Sequence, residues 1–422
     1  MKILVVGGGG REHAIIKKLK ACKGVDKIFA LPGNGGMMSD AECVNIAAKD
    51  IKGIVDFAVS NGIDYAVVAP DDPLVLGAVD ALNEKGIPCF GPKKNAAIIE
   101  GSKVFSKNLM KKYGIPTAQY EVFTDAAKAE KYLESANIPV VIKADGLALG
   151  KGVIIAATRE EALDAVRTIM LDKKFGSSGN SIVVEEFLEG PEVSVLSFTD
   201  GTTVVPMVSS MDHKRALDGD KGLNTGGMGT VAPNPYYTEE IAQECMQKIF
   251  LPTINAMKAE GREFKGCLYF GLMLTKEGPK VIEYNCRFGD PETQVVLPLL
   301  ESDLLEVMLA TTNGTLSKTA VKFSNKSAAC VILASKGYPE EYQSGFEIKL
   351  YNGNETDIYV AGAKAENGKL FSAGGRVLGV TATADTLKLA VEKAYEGVKK
   401  VYFENAYCRK DIGKRALKAL EE

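Results

Sequence analysis

Residues 3–6 are a short apolar run, Ile3-Leu4-Val5-Val6, and it stops in four consecutive glycines, Gly7 to Gly10. Few arrangements accommodate that pairing. A β-rich run, a glycine turn and then Arg11-Glu12-His13-Ala14 predict a strand, a loop and a helix whose first backbone N–H groups face an anion in the loop. The alternation continues with strands at Lys27–Ala30, Tyr65–Ala69 and Pro88–Phe90 and helices near 12–21, 50–60 and 75–85. Strand and helix alternating at this spacing predict a parallel, doubly wound sheet over about the first hundred residues. Pro32-Gly33-Asn34-Gly35-Gly36 and Pro70-Asp71-Asp72-Pro73 both follow strands, at the carboxyl ends where open α/β sheets bind ligands.

The chain has 422 residues, more than a single core holds, so further domains follow. After Gly101 a lysine-bearing helix, Lys103–Tyr113, leads into strand-rich α+β sequence: Val140–Lys143, Val153–Ala156, Ile182–Phe187, Val193–Phe198, Val204–Val208, Cys267–Leu274 and Lys280–Asn285. From about Asn325 a smaller β-rich domain is expected, with strands at Ser327–Leu333 and Arg376–Thr381 and a helix at 384–400. The expected division is 1–103, 104–324 and 325–422.

A net charge of −3 argues against a nucleic-acid binder. No apolar stretch suits a signal segment or a membrane span. The eight cysteines are scattered without a C-x-x-C pair or Cys/His cluster, which points to reduced thiols in the cytoplasm. Only two histidines exist, His13 and His213, and no hydrolytic triad spacing accompanies them. The glycine loop is a poor dinucleotide fingerprint, because its third glycine position holds Glu12 or His13. A nicotinamide oxidoreductase is therefore a weak alternative.

Four further segments carry chemistry. Ile142-Lys143-Ala144-Asp145-Gly146 through Gly152-Val153 delivers Lys143 from a strand into a glycine-rich turn, which suits nucleotide phosphates. Val184-Glu185-Glu186-Phe187-Leu188 with Glu192 offers a backbone edge for adenine and a carboxylate for ribose hydroxyls. In the strand Lys280–Asn285, period-two alternation puts Glu283, Asn285 and the following Arg287 on one face. A carboxylate beside an amide oxygen suits Mg²⁺ completed by phosphates, although a Glu283–Arg287 ion pair is the plainer reading. Asp212-His213-Lys214-Arg215, followed by Asn224-Thr225-Gly226-Gly227-Met228-Gly229, sets a basic cluster beside a glycine loop.

Taken in order, G-G-x-G-G-R-E-H-A, P-G-N, E-G-S-K, I-K-A-D-G-L-A-x-G-K-G-V, E-E-F-L-x-G, D-H-K-R, N-T-G-G-M-G and V-I-E-x-N-C-R-F-G-D-P-E-T-Q resemble the glycinamide ribonucleotide synthetases of the ATP-grasp superfamily. Gly374-Gly375-Arg376-Val377-Leu378 and Cys408-Arg409-Lys410-Asp411-Ile412-Gly413 are similar to that family's tail, so the resemblance spans the chain. Three positions depart from it: Asp71-Asp72 where a glutamate is usual, Leu149 for alanine and Leu223 for proline.

The resemblance implies a central ATP-grasp region with a mobile lid at about 119–190. It implies ATP and Mg²⁺ or Mn²⁺ as cofactors, and glycine and 5-phosphoribosylamine as substrates, with no obligate protein partner. Lys103 and Lys143 would contact ATP phosphates, Lys143 and Arg287 acting catalytically. Glu185, Phe187 and Leu188 would border adenine, Glu192 would hold ribose, and Glu283 and Asn285 would bind the metal. Gly9, Gly10, Arg11, Glu12, His13, Gly33, Asn34, Asp212, His213, Lys214, Arg215, Arg287, Gly289 and Asp290 would form the glycine and phosphoribosylamine sites. The loop Leu147–Gly152 would close over the nucleotide. Sister enzymes activating bicarbonate or formate should lack D-H-K-R and G-G-R-E-H-A.

Overall fold

A computed structural model describes residues 1–147, 152–351 and 355–421. The first five strands are β1 (Lys2–Gly7), β2 (Lys27–Pro32), β3 (Glu42–Cys43), β4 (Tyr65–Val68) and β5 (Cys89–Phe90). They form a parallel sheet in the order β3-β2-β1-β4-β5. Ile3 to Val6 are wholly buried, as expected of a parallel strand covered by helices on both faces. The strand order reverses beside β1, so the turns after β1 and β4 open on a shared crevice. At the first turn the Gly9 N–H donates to the Glu12 carboxylate at 2.6 Å, capping the helix Gly10–Lys20. Gly8 is required for contact: a Cβ there would lie 2.5 Å from the Gly33 carbonyl oxygen. The helix expected at 75–85 is two helices, Asp71–Leu76 and Ala78–Glu84, broken at Gly77 with φ +97°.

The next four strands are β6 (Tyr120–Phe123), β7 (Val140–Ala144), β8 (Val153–Ala156) and β9 (Ile182–Glu186). They make an antiparallel sheet, β6-β9-β7-β8. Leu133, Ile142, Ala162, Ile169 and Val184 belong to a core of this unit's own. The glycine turn between β7 and β8 carries Ala148, Leu149, Gly150 and Lys151, which lie outside the described residues.

The following strands are β10 (Glu192–Thr199), β11 (Val204–Pro206), β12 (Met211–Asp212), β13 (Arg215–Leu217), β14 (Lys221–Asn224), β15 (Gly229–Ala232), β16 (Gly266–Thr275) and β17 (Gly278–Asn285). Four of them form the antiparallel sheet β11-β10-β16-β17, and β13-β14 is a hairpin. The strand expected to reach Val208 ends at Pro206, although Met207 N still donates to the Leu196 carbonyl at 2.7 Å. Last come β18 (Ser327–Ser335), β19 (Glu347–Leu350), β20 (Asp357–Val360), β21 (Ala363–Glu366), β22 (Lys369–Ser372), β23 (Arg376–Ala384), β24 (Val401–Tyr402) and β25 (Ala406–Tyr407). Strands from both parts of the chain share one sheet, β12-β15-β18-β23-β20, with β25 also on β18. Among the described residues no helix is long and apolar enough to cross a membrane.

Candidate active site

One cavity of about 690 Å³ lies where the parallel sheet, the β6–β9 unit, β17 and the C-terminal sheet converge. Its lysine end is built on the helix Lys103–Tyr113 and on β7. Ser102 caps that helix, accepting from Phe105 N at 3.0 Å, and its hydroxyl reaches Asp145 at 3.0 Å. That bond ties the helix start to the glycine turn, and Lys103 Nζ donates to the Gly146 carbonyl at 2.8 Å. Lys143 Nζ lies 3.0 Å from Glu185 Oε1 and donates to the Ile282 carbonyl at 3.0 Å. Lys107 Nζ lies 3.0 Å from Glu185 Oε2 and donates to the Thr117 hydroxyl at 2.7 Å. Lys107, Lys143 and Glu185 are all buried. Two ammonium groups therefore share one carboxylate, leaving a net positive charge that a polyphosphate can complete. Burial lowers the Lys103 pKa against the pull of Glu283. Lys107 is lowered to about 8, by burial first, with Glu185 opposing and Lys143 reinforcing.

The wall between the two ends is β17. Glu283, Asn285 and Arg287 all line the cavity, Ile282 and Tyr284 also touch it, and Cys286 is wholly buried. The three polar residues reach the cavity as expected, but the separation of faces is incomplete: the ladder is irregular at Ile282, and the strand ends at Asn285. Arg287 does not pair with Glu283. Its Nη2 lies 3.1 Å from Glu100 Oε1, and Glu100 also accepts from Cys286 N at 2.7 Å. Lys214 Nζ stands 3.4 Å from Glu192 Oε2 and 3.6 Å from Glu283 Oε1. Burial would raise the Glu283 pKa, but the charges of Lys214, Lys143, Lys103 and Arg287 outweigh it and hold the carboxylate below its usual range.

The arginine end gathers Arg11, Arg215, Arg287, Arg376 and Arg415 around Asp71, Asp212, Asp290 and Glu292. Arg11 Nε lies 2.5 Å from Glu12, and its Nη1 donates to the Phe288 carbonyl at 3.0 Å. Asp290 accepts from Gln294 at 2.8 Å and pairs with Arg376 at 3.4 Å. Arg376 also donates to the carbonyls of Gly226 and Asp290, at 2.9 and 2.8 Å. Burial opposes ionisation of Asp290, yet Arg376 and Arg11 keep its pKa low. Asp212 and Glu292 are both raised, by burial first and then, for Asp212, by the charge of Glu292.

Of the residues singled out in the sequence, Arg11, Lys103, Lys143, Glu185, Phe187, Leu188, Glu192, Asp212, Lys214, Arg215, Glu283, Asn285, Arg287 and Asp290 line this cavity. Gly9, Gly10, Glu12, His13, Gly33, Asn34, His213 and Gly289 are not among its lining residues. Asn34 donates to the carbonyls of Gly8 and Val360 at 2.9 and 2.8 Å. His13 Nδ1 accepts from Val360 N at 2.8 Å, and its Nε2 lies 3.2 Å from Asp40. A Cβ on Gly289 would meet Glu292 Oε2 at 2.3 Å. Sequence reasoning passed over Glu100, Lys107, Glu292, Arg376 and Arg415. The first carried a signal as the glutamate of E-G-S-K. Lys107 sits one helical turn beyond Lys103, on the same face.

The chain matches the family models of Phosphoribosylglycinamide synthetase in all three parts: N domain over residues 1–100, ATP-grasp (A) domain over 101–293 and C domain over 328–415. It is 50% identical over 421 residues to the phosphoribosylamine–glycine ligase of Listeria monocytogenes, covering 99% of this chain and 100% of that one. The crystal structure of phosphoribosylamine–glycine ligase from Thermotoga maritima superposes with TM-score 0.87 at 34% identity, covering 98% and 100%. The biotin carboxylase domain of the 2-oxoglutarate carboxylase of Hydrogenobacter thermophilus, solved with MgADP and bicarbonate, shares the fold alone. Its TM-score is 0.74 at 17% identity, covering 96% of this chain and 91% of that one. The cavity's residues and these likenesses lead to one conclusion: the chain belongs to the phosphoribosylamine–glycine ligases, ADP-forming ATP-grasp enzymes that attach glycine in purine biosynthesis.

Proposed function

We propose that the lysine end takes ATP, that the arginine end takes glycine and 5-phosphoribosylamine, and that the two meet at β17. One observation carries this reading. Lys143 is bonded at 3.0 Å to the carbonyl of Ile282, the residue before Glu283, so the phosphate-type cation and the metal-type carboxylate share one wall.

Val141, Ile155, Phe187 and Leu188 give the lysine end an apolar slot for adenine, with Glu185 beside it and Glu192 placed for ribose hydroxyls. Lys103 and Lys143 would hold the phosphates. Glu283 and Asn285 are hard oxygen donors, and Glu283 is kept ionised. One carboxylate and one amide leave coordination positions for phosphate oxygens, which fits Mg²⁺ and also Mn²⁺. A divalent ion held there would neutralise charge on the transferring phosphoryl group.

A carboxylate does not condense with an amine in water, because its oxygen is a poor leaving group. In the proposed sequence a glycine carboxylate oxygen attacks the γ-phosphorus and the bond to ADP breaks. The phosphoribosylamine nitrogen then attacks the carbonyl carbon of glycyl phosphate and the bond to phosphate breaks. Arg287 and Arg11 would orient the carboxylate, and Lys143 and Arg287 would stabilise charge on the phosphoryl oxygens, so catalysis is positioning and electrostatics. Lys214, Arg215 and Asp290 would face the phosphoribosyl group. Gly9, Gly10, Glu12, His13, Gly33, Asn34, His213 and Gly289 would shape this end. Eight free cysteines support a reducing, cytoplasmic setting.

The test is phosphate release from ATP with Mg²⁺, glycine and freshly generated 5-phosphoribosylamine, omitting each in turn. Release that needs all of them, with glycinamide ribonucleotide detected by mass, supports the reading. Release with bicarbonate or formate in place of glycine overturns it.

A further inference from the structure

The hairpin β13-β14 reaches the cavity through Arg215, Asp220 and Asn224. Its other side is fastened to a segment almost two hundred residues later in the chain. Arg409 is among the largest fully buried side chains of the described residues, and it makes two of the bonds in that attachment. Its Nη1 donates to the Arg215 carbonyl at 3.0 Å and to Asp220 Oδ1 at 2.9 Å. Its Nε and Nη2 form a two-pronged pair with Asp411, both at 2.8 Å. Asp411 in turn accepts from Gly219 N at 2.8 Å, and Asp218 accepts from Lys410 N at 2.8 Å. Tyr407 donates its hydroxyl to the Ala216 carbonyl at 3.0 Å. The hairpin is thus gripped at residues 215, 216, 218, 219 and 220.

The hairpin makes few apolar contacts that could hold it otherwise, since Leu217 and Leu223 are about half exposed, at 49% and 51%. Its position comes from the polar network, and only a planar fork with several donors can serve Asp411, Asp220 and a carbonyl together. Lysine has the charge without the fork.

We infer that Arg409 is a positioning residue for the phosphoribosylamine end of the site: it touches no substrate, but it sets where Arg215 and its hairpin meet the cavity. This rests on the assignment of the arginine end to phosphoribosylamine. Lys103, Lys143 and the adenine slot stand on other elements, so the effect is confined to one substrate.

The experiment compares Arg409→Lys with Asp220→Asn, measuring KM separately for ATP, glycine and 5-phosphoribosylamine, with melting temperature alongside. Asp220 is about half exposed, at 51%, so its variant removes one arm of the network without emptying the core. Expected for both is a rise in KM for 5-phosphoribosylamine of about tenfold or more, with KM for ATP within twofold of the parent (about the scatter of such measurements). The rise should be larger in Arg409→Lys. If Arg409→Lys fails to fold, Asp411→Asn decides, since Asp411 holds the same guanidinium from outside the cavity lining whereas Asp220 reaches the cavity itself. Unchanged KM for 5-phosphoribosylamine in a folded variant overturns the proposal, as does an equal loss for all three substrates. A parent enzyme that releases phosphate without 5-phosphoribosylamine would instead overturn the functional reading itself.

Discussion

His213 Nε2 accepts a hydrogen bond from the backbone N–H of Gly413 at 3.1 Å, joining the basic segment of the site to a residue 200 positions away. Its Nδ1 meets the Gly229 carbonyl at 3.1 Å, so the ring donates at one nitrogen and accepts at the other. His13 makes the same kind of join, accepting from Val360 N. Each histidine therefore ties a residue late in the chain to a segment beside the site, His13 from the helix Gly10–Lys20 to β20 and His213 from the end of β12 to the start of the last helix, and each must be neutral to accept.

Acid should loosen that joint. Burial first, and then the charge of Arg409, push the His213 pKa down to about 4 from 6.5. A depressed pKa means the stabilisation is complete above the unfolded value and is lost as pH falls from there through the folded value. Between pH 7 and pH 5 the loss is on the order of 2 kcal/mol. Urea unfolding at the two pH values should show a drop for the parent that exceeds the drop for His213→Gln by about that amount. Equal drops would remove His213 from the account.

Glu283→Ala should lower ligation by about a hundredfold or more while the far-UV spectrum stays that of the parent. The carboxylate is one of two acids around Lys214, and it is partly exposed, so its loss leaves no buried charge stranded. Near-parental turnover would sink the metal assignment.

Lys107→Met should weaken ATP more than it weakens the fold. Glu185 keeps Lys143 as a partner, so the stability cost is about 1–3 kcal/mol and not that of an orphaned carboxylate. Without Lys107 the remaining ammonium is drawn more fully to Glu185 and less to phosphate. Calorimetric titration with ATP should show a weaker Kd; an unchanged Kd would mean that Lys107 only fills the core.

Gly8→Ala should destabilise by about 2–4 kcal/mol, since the added carbon meets the Gly33 carbonyl oxygen at 2.5 Å and neither turn can retreat. Thermal melting tests this directly, and a loss below about 0.5 kcal/mol would show that the two turns are not locked together.

Much of the cavity was legible because its residues repeat with the periods of the backbone. Glu283, Asn285 and Arg287 are spaced by two on and just past a strand, and the glycine run after β1 marks a turn at a sheet's carboxyl end. The elements that escaped reading are those without a period. The strands Met211–Asp212 and Glu42–Cys43 are two residues long, and such pairings are decided by the neighbouring strand. Arg376 and Arg409 escaped for a related reason. Their partners lie far away in sequence, and no local pattern says which carbonyl a distant guanidinium will find. The two histidines looked like ligand contacts because they sit inside glycine-rich motifs. Their burial, at 2% and 4% exposure, follows from a tertiary join that composition does not encode.

The pairing of β15 with β18 sets how this chain can be divided. A fragment beginning at residue 325 would carry β18 without its neighbour β15, leaving a row of unsatisfied N–H and C=O groups as a template for aggregation. The complementary fragment would keep β15 on β12 by one edge and leave its other edge open. Produced together, the two pieces would be driven to recombine by strand addition, so a gene split at that point would encode an obligate two-subunit enzyme.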